Sequence, residues 1–282
     1  MPNTLIWTGG ESATTKTFTT AANWGGTTPG NDDTLIINSS SDTIGGAATG
    51  LTGITFRVGE GFTGTIGSST TSLDLDGPLC EFASGGPEAY LTGAWTNFRI
   101  TGGSSSDSFL TLKGNASTDI TTLLASRLNG TVTVGASADI LTIEMTGNST
   151  GIIDLEGSIT NLASLTISEG TIESSSSISG TASVVGGTLR TLGTSAYPTV
   201  EIDTGGSVDY RSSGTITTLN IFDGVFSSRD NQTAGFTITN VDVHSGGRLL
   251  LDSALNNATV TNAIDMLGGD ASFAVGSTIS LG

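Results

Sequence analysis

The chain has 282 residues, of which 41 are glycine and 12% are charged, enough for one long domain or two ordinary ones. Its 26 acidic and 9 basic residues leave a formal charge of −17. That balance argues against a nucleic-acid binder, because neutralising phosphates needs clustered Lys and Arg, and against attraction to an anionic membrane surface. It fits a solubilising role or electrostatic matching to a basic partner surface.

The lone Cys80 allows no internal disulfide framework. Hydrophobic residues make up 35%, low for a compact globule, while Thr, Ser and Gly abound, which suits stacked strands joined by tight turns. The apolar residues are β-branched and regularly spaced, unlike those of a depleted, disordered chain. The start, Met1-Pro2-Asn3-Thr4-Leu5-Ile6-Trp7, has neither a basic region nor an apolar run of signal-peptide length. No later stretch approaches a transmembrane span, so the expectation is a chain that folds in a cytoplasm.

Residues 1–40 differ from the rest. Trp7-Thr8-Gly9, then Asn23-Trp24-Gly25-Gly26, then Pro29-Gly30-Asn31-Asp32-Asp33 precede the first clear strand, Thr34-Leu35-Ile36-Ile37. The open end of a stack of coils exposes an apolar interior, and Trp7 and Trp24 in a Gly-rich segment are placed to cover it. The competing role for the two rings is a sugar-binding platform. The pattern resembles the W-x-G…NW…P-x-x-x-D opening of β-helical domains in bacterial surface proteins and phage structural proteins, and the resemblance is confined to this segment.

Residues 41–118 carry loose copies of one unit. Leu51-Thr52-Gly53-Ile54-Thr55-Phe56-Arg57-Val58-Gly59 and Trp95-Thr96-Asn97-Phe98-Arg99-Ile100-Thr101-Gly102 approximate the form apolar-Thr-x-apolar-x-apolar before a glycine. Between them, residues 77–90 hold Pro78 and Pro87 and show no alternation, which predicts a loop projecting from the stack and a place for partner contacts through Pro78, Phe82, Pro87 and Tyr90. Further on, Thr131–Val134, Leu141–Met145, Ile152–Leu155 and Leu165–Ile167 read as strands, each followed by a nearby glycine. Asp119–Leu128 also admits a short helix, since Leu123, Leu124 and Leu128 have helical spacing. No proline lies between Pro87 and Pro198, which fits internal strands that need their N–H groups.

The repeat is clearest in Thr215–Gly269. Ile216-Thr217-Thr218-Leu219, Ile238-Thr239-Asn240-Val241 and Val260-Thr261-Asn262-Ala263 follow one another at a constant step and lead into Gly224, Gly246 and Gly268. Alternation such as Val241-Asp242-Val243 means strands with one buried face, and a recurrence of this length is the signature of a solenoid. Val241 and Val243 match Ile264 and Met266 only if one residue is inserted after Asn262, which a corner can absorb without reversing the next strand. The end, Ile279-Ser280-Leu281-Gly282, still alternates, so it calls for burial against another subunit or a fold-back.

Reactive groups are sparse. His244 is the only histidine and sits at a strand end, where a surface position is expected, and no G-x-S-x-G elbow accompanies it. Asp203, Asp209 and Asp223, or the pairs Asp74-x-Asp76 and Asp154-x-Glu156, are the candidates for a glycosidase carboxylate pair, but solvated solenoid faces account for them more simply. There is no Cys/His cluster or calcium loop, and Asn31-Asp32-Asp33 reads as turn capping.

The expected fold is therefore all-β: a right-handed parallel β-helix (β-solenoid) over residues 41–282, with a projecting loop near 77–90, preceded by an N-terminal cap segment at residues 1–40. Together with the opening motif, the chain resembles a virion protein of a tailed bacteriophage, of the capsid decoration (cement) type. That resemblance implies a non-enzymatic homotrimer made in the host cytoplasm and seated on the capsid surface through the major capsid protein, with apolar strand faces between subunits. It implies no cofactor, metal, nucleic acid, membrane or small-molecule substrate. Trp7, Trp24 and the 77–90 loop are the expected contacts. The alternative is a tail fibre or tailspike β-helix that binds host polysaccharide.

Overall fold

A computed structural model describes residues 1–45, 50–83, 88–102, 110–113, 118–135, 138–157, 159–231, 235–252, 258–273 and 278–279. Among them every regular element is a β-strand except one 3-10 turn, Ala21–Trp24. The chain divides into two compact units, residues 1–140 with 149–154, and residues 141–148 with 155–282. Each unit is a β-solenoid: its strands pair in parallel with the strand one coil away.

In the first unit, sheet A stacks Thr4–Ile6, Thr34–Ser40, Thr55–Phe62, Gly77–Phe82, the second half of Glu88–Thr101, and Thr118–Ser126. Sheet B stacks Thr15–Thr17, Thr43–Gly45, Thr65–Ile66, the start of Glu88–Thr101, Leu110–Lys113 and Thr131–Val134. The Trp-bearing opening is thus built into the stack as a coil, with Leu5 paired to Leu35. Sheet A of the second unit continues through Ser164–Ile167, Thr181–Val184, Tyr197–Ile202, Thr215–Ile221, Phe236–His244, and the pair Ala258–Val260 and Ile264–Leu267. Its sheet B runs Thr171–Ser174, Thr188–Thr191, Ser207–Tyr210, Val225–Ser227, Arg248–Leu251 and Asp270–Phe273.

The unit form read from the sequence has a geometric cause. In the longer sheet-A strands the buried residues fall at i, i+3 and i+5: Ile216, Leu219 and Ile221, or Ile238, Val241 and Val243. Two outward residues in succession mark the corner where the strand bends, after which strict alternation resumes. Ile120, Leu123 and Ala125 follow the same rule in Thr118–Ser126, which is a strand and not the alternative helix. Leu124 faces outward on that strand and Leu128 lies beyond its end, so the three leucines share no helical face.

Register follows the repeat. Thr237 pairs with Thr259 at the step of the repeat, whereas Val241 pairs with Ile264 and Val243 with Met266, one position further on, so the extra residue after Asn262 is absorbed between two short strands. Ser164, Thr181, Thr199 and Thr218 form one column, in which each coil is one residue longer than the coil before it and all are shorter than those that follow. The sheet-A strands shorten with the coils, from 9 residues in Phe236–His244 to 4 in Thr181–Val184, while the sheet-B strands stay at 3 or 4.

Identical or similar side chains stack inside each unit. Leu165, Ala182, Val200, Leu219 and Val241 make one buried column, and Ile167, Val184, Ile202, Ile221 and Val243 the next. A third column, Gly187, Gly206, Gly224 and Gly247, turns the chain from sheet A to sheet B. Each of these glycine carbonyls accepts the N–H that opens the next sheet-B strand, at 2.9 to 3.0 Å. Amide and hydroxyl groups add further links between coils: Asn262 Nδ2 donates to Asn240 Oδ1 at 2.7 Å, and Asn240 Nδ2 to the Thr217 carbonyl at 3.3 Å. Buried Ser212 and Asn231 repeat the device at another corner, each donating to a carbonyl of the preceding coil.

One expectation changes. Gly77–Phe82 is a sheet-A strand with Cys80 and Phe82 buried, and Glu88–Tyr90 begins the next long strand, so the described part of 77–90 is built into the stack and does not project. Ser84–Pro87 lie outside the described residues. The outer face of sheet A in the second unit is polar along its strands, with Val185, Phe222 and Leu267 exposed at or just past strand ends. Its outward columns carry Thr142, Ser164, Thr181, Thr199, Thr218 and Asn240 beside Glu144, Thr166, Ser183, Glu201, Asn220 and Asp242.

Candidate functional site

The residues singled out from the sequence come together mainly as core. Trp7 is 5% exposed and Trp24 2%, with ring centroids 5.0 Å apart edge to face. Phe18 packs edge-on to Trp24 at 5.2 Å, and the series continues through Phe56, Phe82 and Phe98 at 6.1, 6.2 and 5.7 Å. One aromatic column thus runs through the interior of the first unit, and Phe82 belongs to it. Burial of Trp7 and Trp24 within the first coil leaves neither ring as an open platform.

The polar residues of the opening motif hold that arrangement. The Trp24 indole N–H donates to the Phe18 carbonyl at 2.5 Å, and that of Trp7 to Asp42 Oδ2 at 3.0 Å. Partial burial disfavours the Asp42 charge, yet hydrogen bonds with Ser40 and Trp7 outweigh it and keep the carboxyl below its ordinary pKa. Buried Asn23 donates to the Thr17 carbonyl and to Glu11 and accepts the Glu11 N–H, while the Thr17 N–H and Asn23 hold the Glu11 carboxyl below the usual range. Asp33 accepts N–H bonds from Asn3 at 2.6 Å and Gly30 at 2.8 Å, the turn-capping role expected of Asn31-Asp32-Asp33.

The other anticipated contacts lie apart. Pro78 is exposed on sheet A, Tyr90 is half-buried with its hydroxyl donating to Glu88 at 3.0 Å, and Pro87 lies outside the described residues. The hydrogen bond to Glu88, followed by partial desolvation, raises the Tyr90 pKa.

Sequence reasoning missed the charge pairing, because it depends on which residues stack. Glu173, Arg190 and Asp209 are partners on three successive coils of sheet B, and Arg190 bonds both carboxylates. Arg211 bonds Asp209 at 2.6 Å and Asp230 at 3.4 Å, and Arg229 bonds Asp252 at 2.5 Å. In the first unit Arg57 pairs with Glu81. The unequal coil lengths hid these ladders; a scan for opposite charges one coil apart, with the spacing left free to vary, would have found the first.

Of the former candidates for carbohydrate chemistry, Asp209 is committed to Arg190 and Arg211, and Asp76 accepts the Ala94 N–H at 2.6 Å. Asp203 folds back on Thr204. His244 stacks on Phe222 with centroids 4.7 Å apart. Cys80 is wholly buried, and desolvation pushes its thiol pKa well above the ordinary value. A shallow groove of about 560 Å³ on the second unit is lined by Leu141, Asn161, Leu162, Ala163, Ser177, Ile178 and Ser179, without a titratable side chain.

Among the described residues no group of three or more His, Cys, Asp or Glu is placed to hold a metal ion, and no helix is long and apolar enough to cross a membrane. Comparison with known proteins finds no matching family model, no matching curated protein and no matching solved structure.

Proposed function

We propose that the chain is a structural attachment protein of a tailed-bacteriophage particle, a capsid decoration (cement) protein that binds the major capsid protein on the outer shell as a homotrimer. One observation carries this reading. The polar side chains of the walls spend their bonds on the neighbouring coil: Arg190 links Glu173 to Asp209, Arg229 reaches Asp252, and Asn240 links Thr217 to Asn262. Such a stack is stiff, and stiffness is what a clamp between shell subunits requires. The opening pattern Trp7…Asn23-Trp24…Asp33, whose hydrogen bonds tie the first coil, adds the resemblance to phage structural proteins. The acidic surface suits a basic shell face.

Counting copies tests it. Quantitative mass spectrometry of purified particles should find the chain in hundreds of copies, and sedimentation should find trimers. A few dozen copies or fewer would refute decoration, and release of oligosaccharide from host capsule or lipopolysaccharide would point to a tailspike.

A further inference from the structure

We infer that the outer face of sheet A in the second unit is a docking surface for a basic, extended protein segment presenting arginine. The inference deepens the attachment reading and rests on it only for the partner being a protein.

On successive coils this face presents Ser183 and Val185, Glu201 and Asp203, Asn220 and Phe222, Asp242 and His244, then Asp265 and Leu267. Within each pair the residues are two apart; Val185, Asp203 and Phe222 follow directly on their strands and extend the ladder, their N–H groups donating to the Ile167, Val184 and Ile202 carbonyls, and coils repeat at about 4.8 Å. Down the second column Val185 is 39% exposed, Phe222 38% and Leu267 56%, with His244 stacked on Phe222. Phe222 departs from the rule of the fold. The other described Phe and Trp residues are buried, apart from Phe273 on the last paired sheet-B strand.

Charge decides which partner fits. The four arginines of this unit, Arg190, Arg211, Arg229 and Arg248, all lie on sheet-B strands or on the turns that follow them. The first three are matched there by Glu173, Asp209, Asp230 and Asp252. The sheet-A strands Tyr197–Ile202, Thr215–Ile221, Phe236–His244 and Ile264–Leu267 carry no Lys or Arg. Glu201, Asp203, Asp242 and Asp265 therefore flank the Phe222–His244 pair with no Lys or Arg on those strands. An arginine fits both features: its planar guanidinium stacks on Phe222 while its N–H groups reach a carboxylate, and its stem covers the apolar ridge. A second copy meeting it through the same face does not fit, because that face is equally acidic.

The test is fluorescence anisotropy with the full chain and a labelled decapeptide alternating arginine and valine. F222A should weaken binding about threefold, by loss of the aromatic face. The double variant E201Q/D242N should weaken it about fivefold, and added salt should weaken it further. The control E60Q/D119N removes the same charge from exposed positions of the first unit and should leave binding unchanged. All three variants change outward side chains, so their melting temperatures should match the parent. Equal loss in the control, or full binding by F222A, would overturn the inference, as would displacement of the peptide by cellohexaose, which would mark a glycan surface. The assay needs no particle, so peptide binding by a chain that proves absent from virions would refute decoration alone.

Discussion

Replacing Gly224 by alanine sets two effects of opposite sign against each other. Its φ lies outside the left-handed region, so alanine reduces the freedom of the unfolded chain and, with space available, stabilises by about 0.4–1 kcal/mol. Space is not available. A Cβ here would stand 2.5 Å from the Gly206 carbonyl oxygen, 2.5 Å from Ile202 Cγ2 and 3.0 Å from the Asp203 oxygen. The Gly206 oxygen cannot retreat freely, since it accepts the Val225 N–H at 2.9 Å. Overpacking of this kind costs about 1–3 kcal/mol, and loosening that hydrogen bond adds about 1 kcal/mol. The net expectation is a loss of about 2–3 kcal/mol, or roughly 5–10 °C in Tm. Circular dichroism during heating and in urea measures it. Gly30→Ala is the control, because its nearest contact would be Asp33 Oδ2 at 3.7 Å, and it should be neutral or slightly stabilising. If Gly224→Ala melted at or above the parent temperature, the close stacking of coils at this corner would be refuted.

Val243→Asp should abolish folding, read as loss of soluble protein. It removes about 2 kcal/mol of burial and places a carboxyl with no partner at a fully buried position, against a total stability of order 5–15 kcal/mol. Thr239→Ser, by contrast, should change stability by less than about 0.5 kcal/mol in urea unfolding. Arg190→Ala should cost about 1 kcal/mol in low salt, a modest figure because its side chain is 33% exposed, and the difference from the parent should shrink in about 1 M NaCl. Burial, the largest influence on both groups, raises the Tyr197 and Tyr210 pKa values, so these phenols stay protonated in the folded chain while those of the unfolded chain ionise above about pH 10. Stability from this source is present below that pH and is lost as pH rises through it. In an alkaline titration followed by ultraviolet absorbance, Tyr90 should ionise reversibly, and the other two only with unfolding; three phenols ionising together in folded protein would refute their burial.

The class of fold was legible because alternation and recurrence survive in single residues. Val241-Asp242-Val243 shows one buried face, and the constant step from Ile216 to Ile238 to Val260 is the step by which those strands pair. The inserted residue after Asn262 was legible for the same reason: period two forbids an odd shift inside a strand, so the chain must take it up at a corner. The stretch 77–90 was not legible. Pro78 is exposed, and the pairing passes from Gly77 to Leu79 over it, so its missing N–H does not exclude the neighbouring Cys80 and Phe82 from the core.

Composition, local alternation and the spacing of repeats by themselves determined that the chain forms parallel coils and that its charge is acidic. These are properties of a residue and its near neighbours, and any coil length leaves them in place. Only the tertiary structure decided which side chains stand above one another. The unequal lengths of the coils set the stacking, and stacking sets whether Arg190 meets Glu173 and Asp209, whether Phe82 joins Phe56 and Phe98, and whether Phe222 stands exposed against His244 on a face without arginine. Contacts between coils depend on the length of chain between them, and that length varies in turns whose composition barely changes.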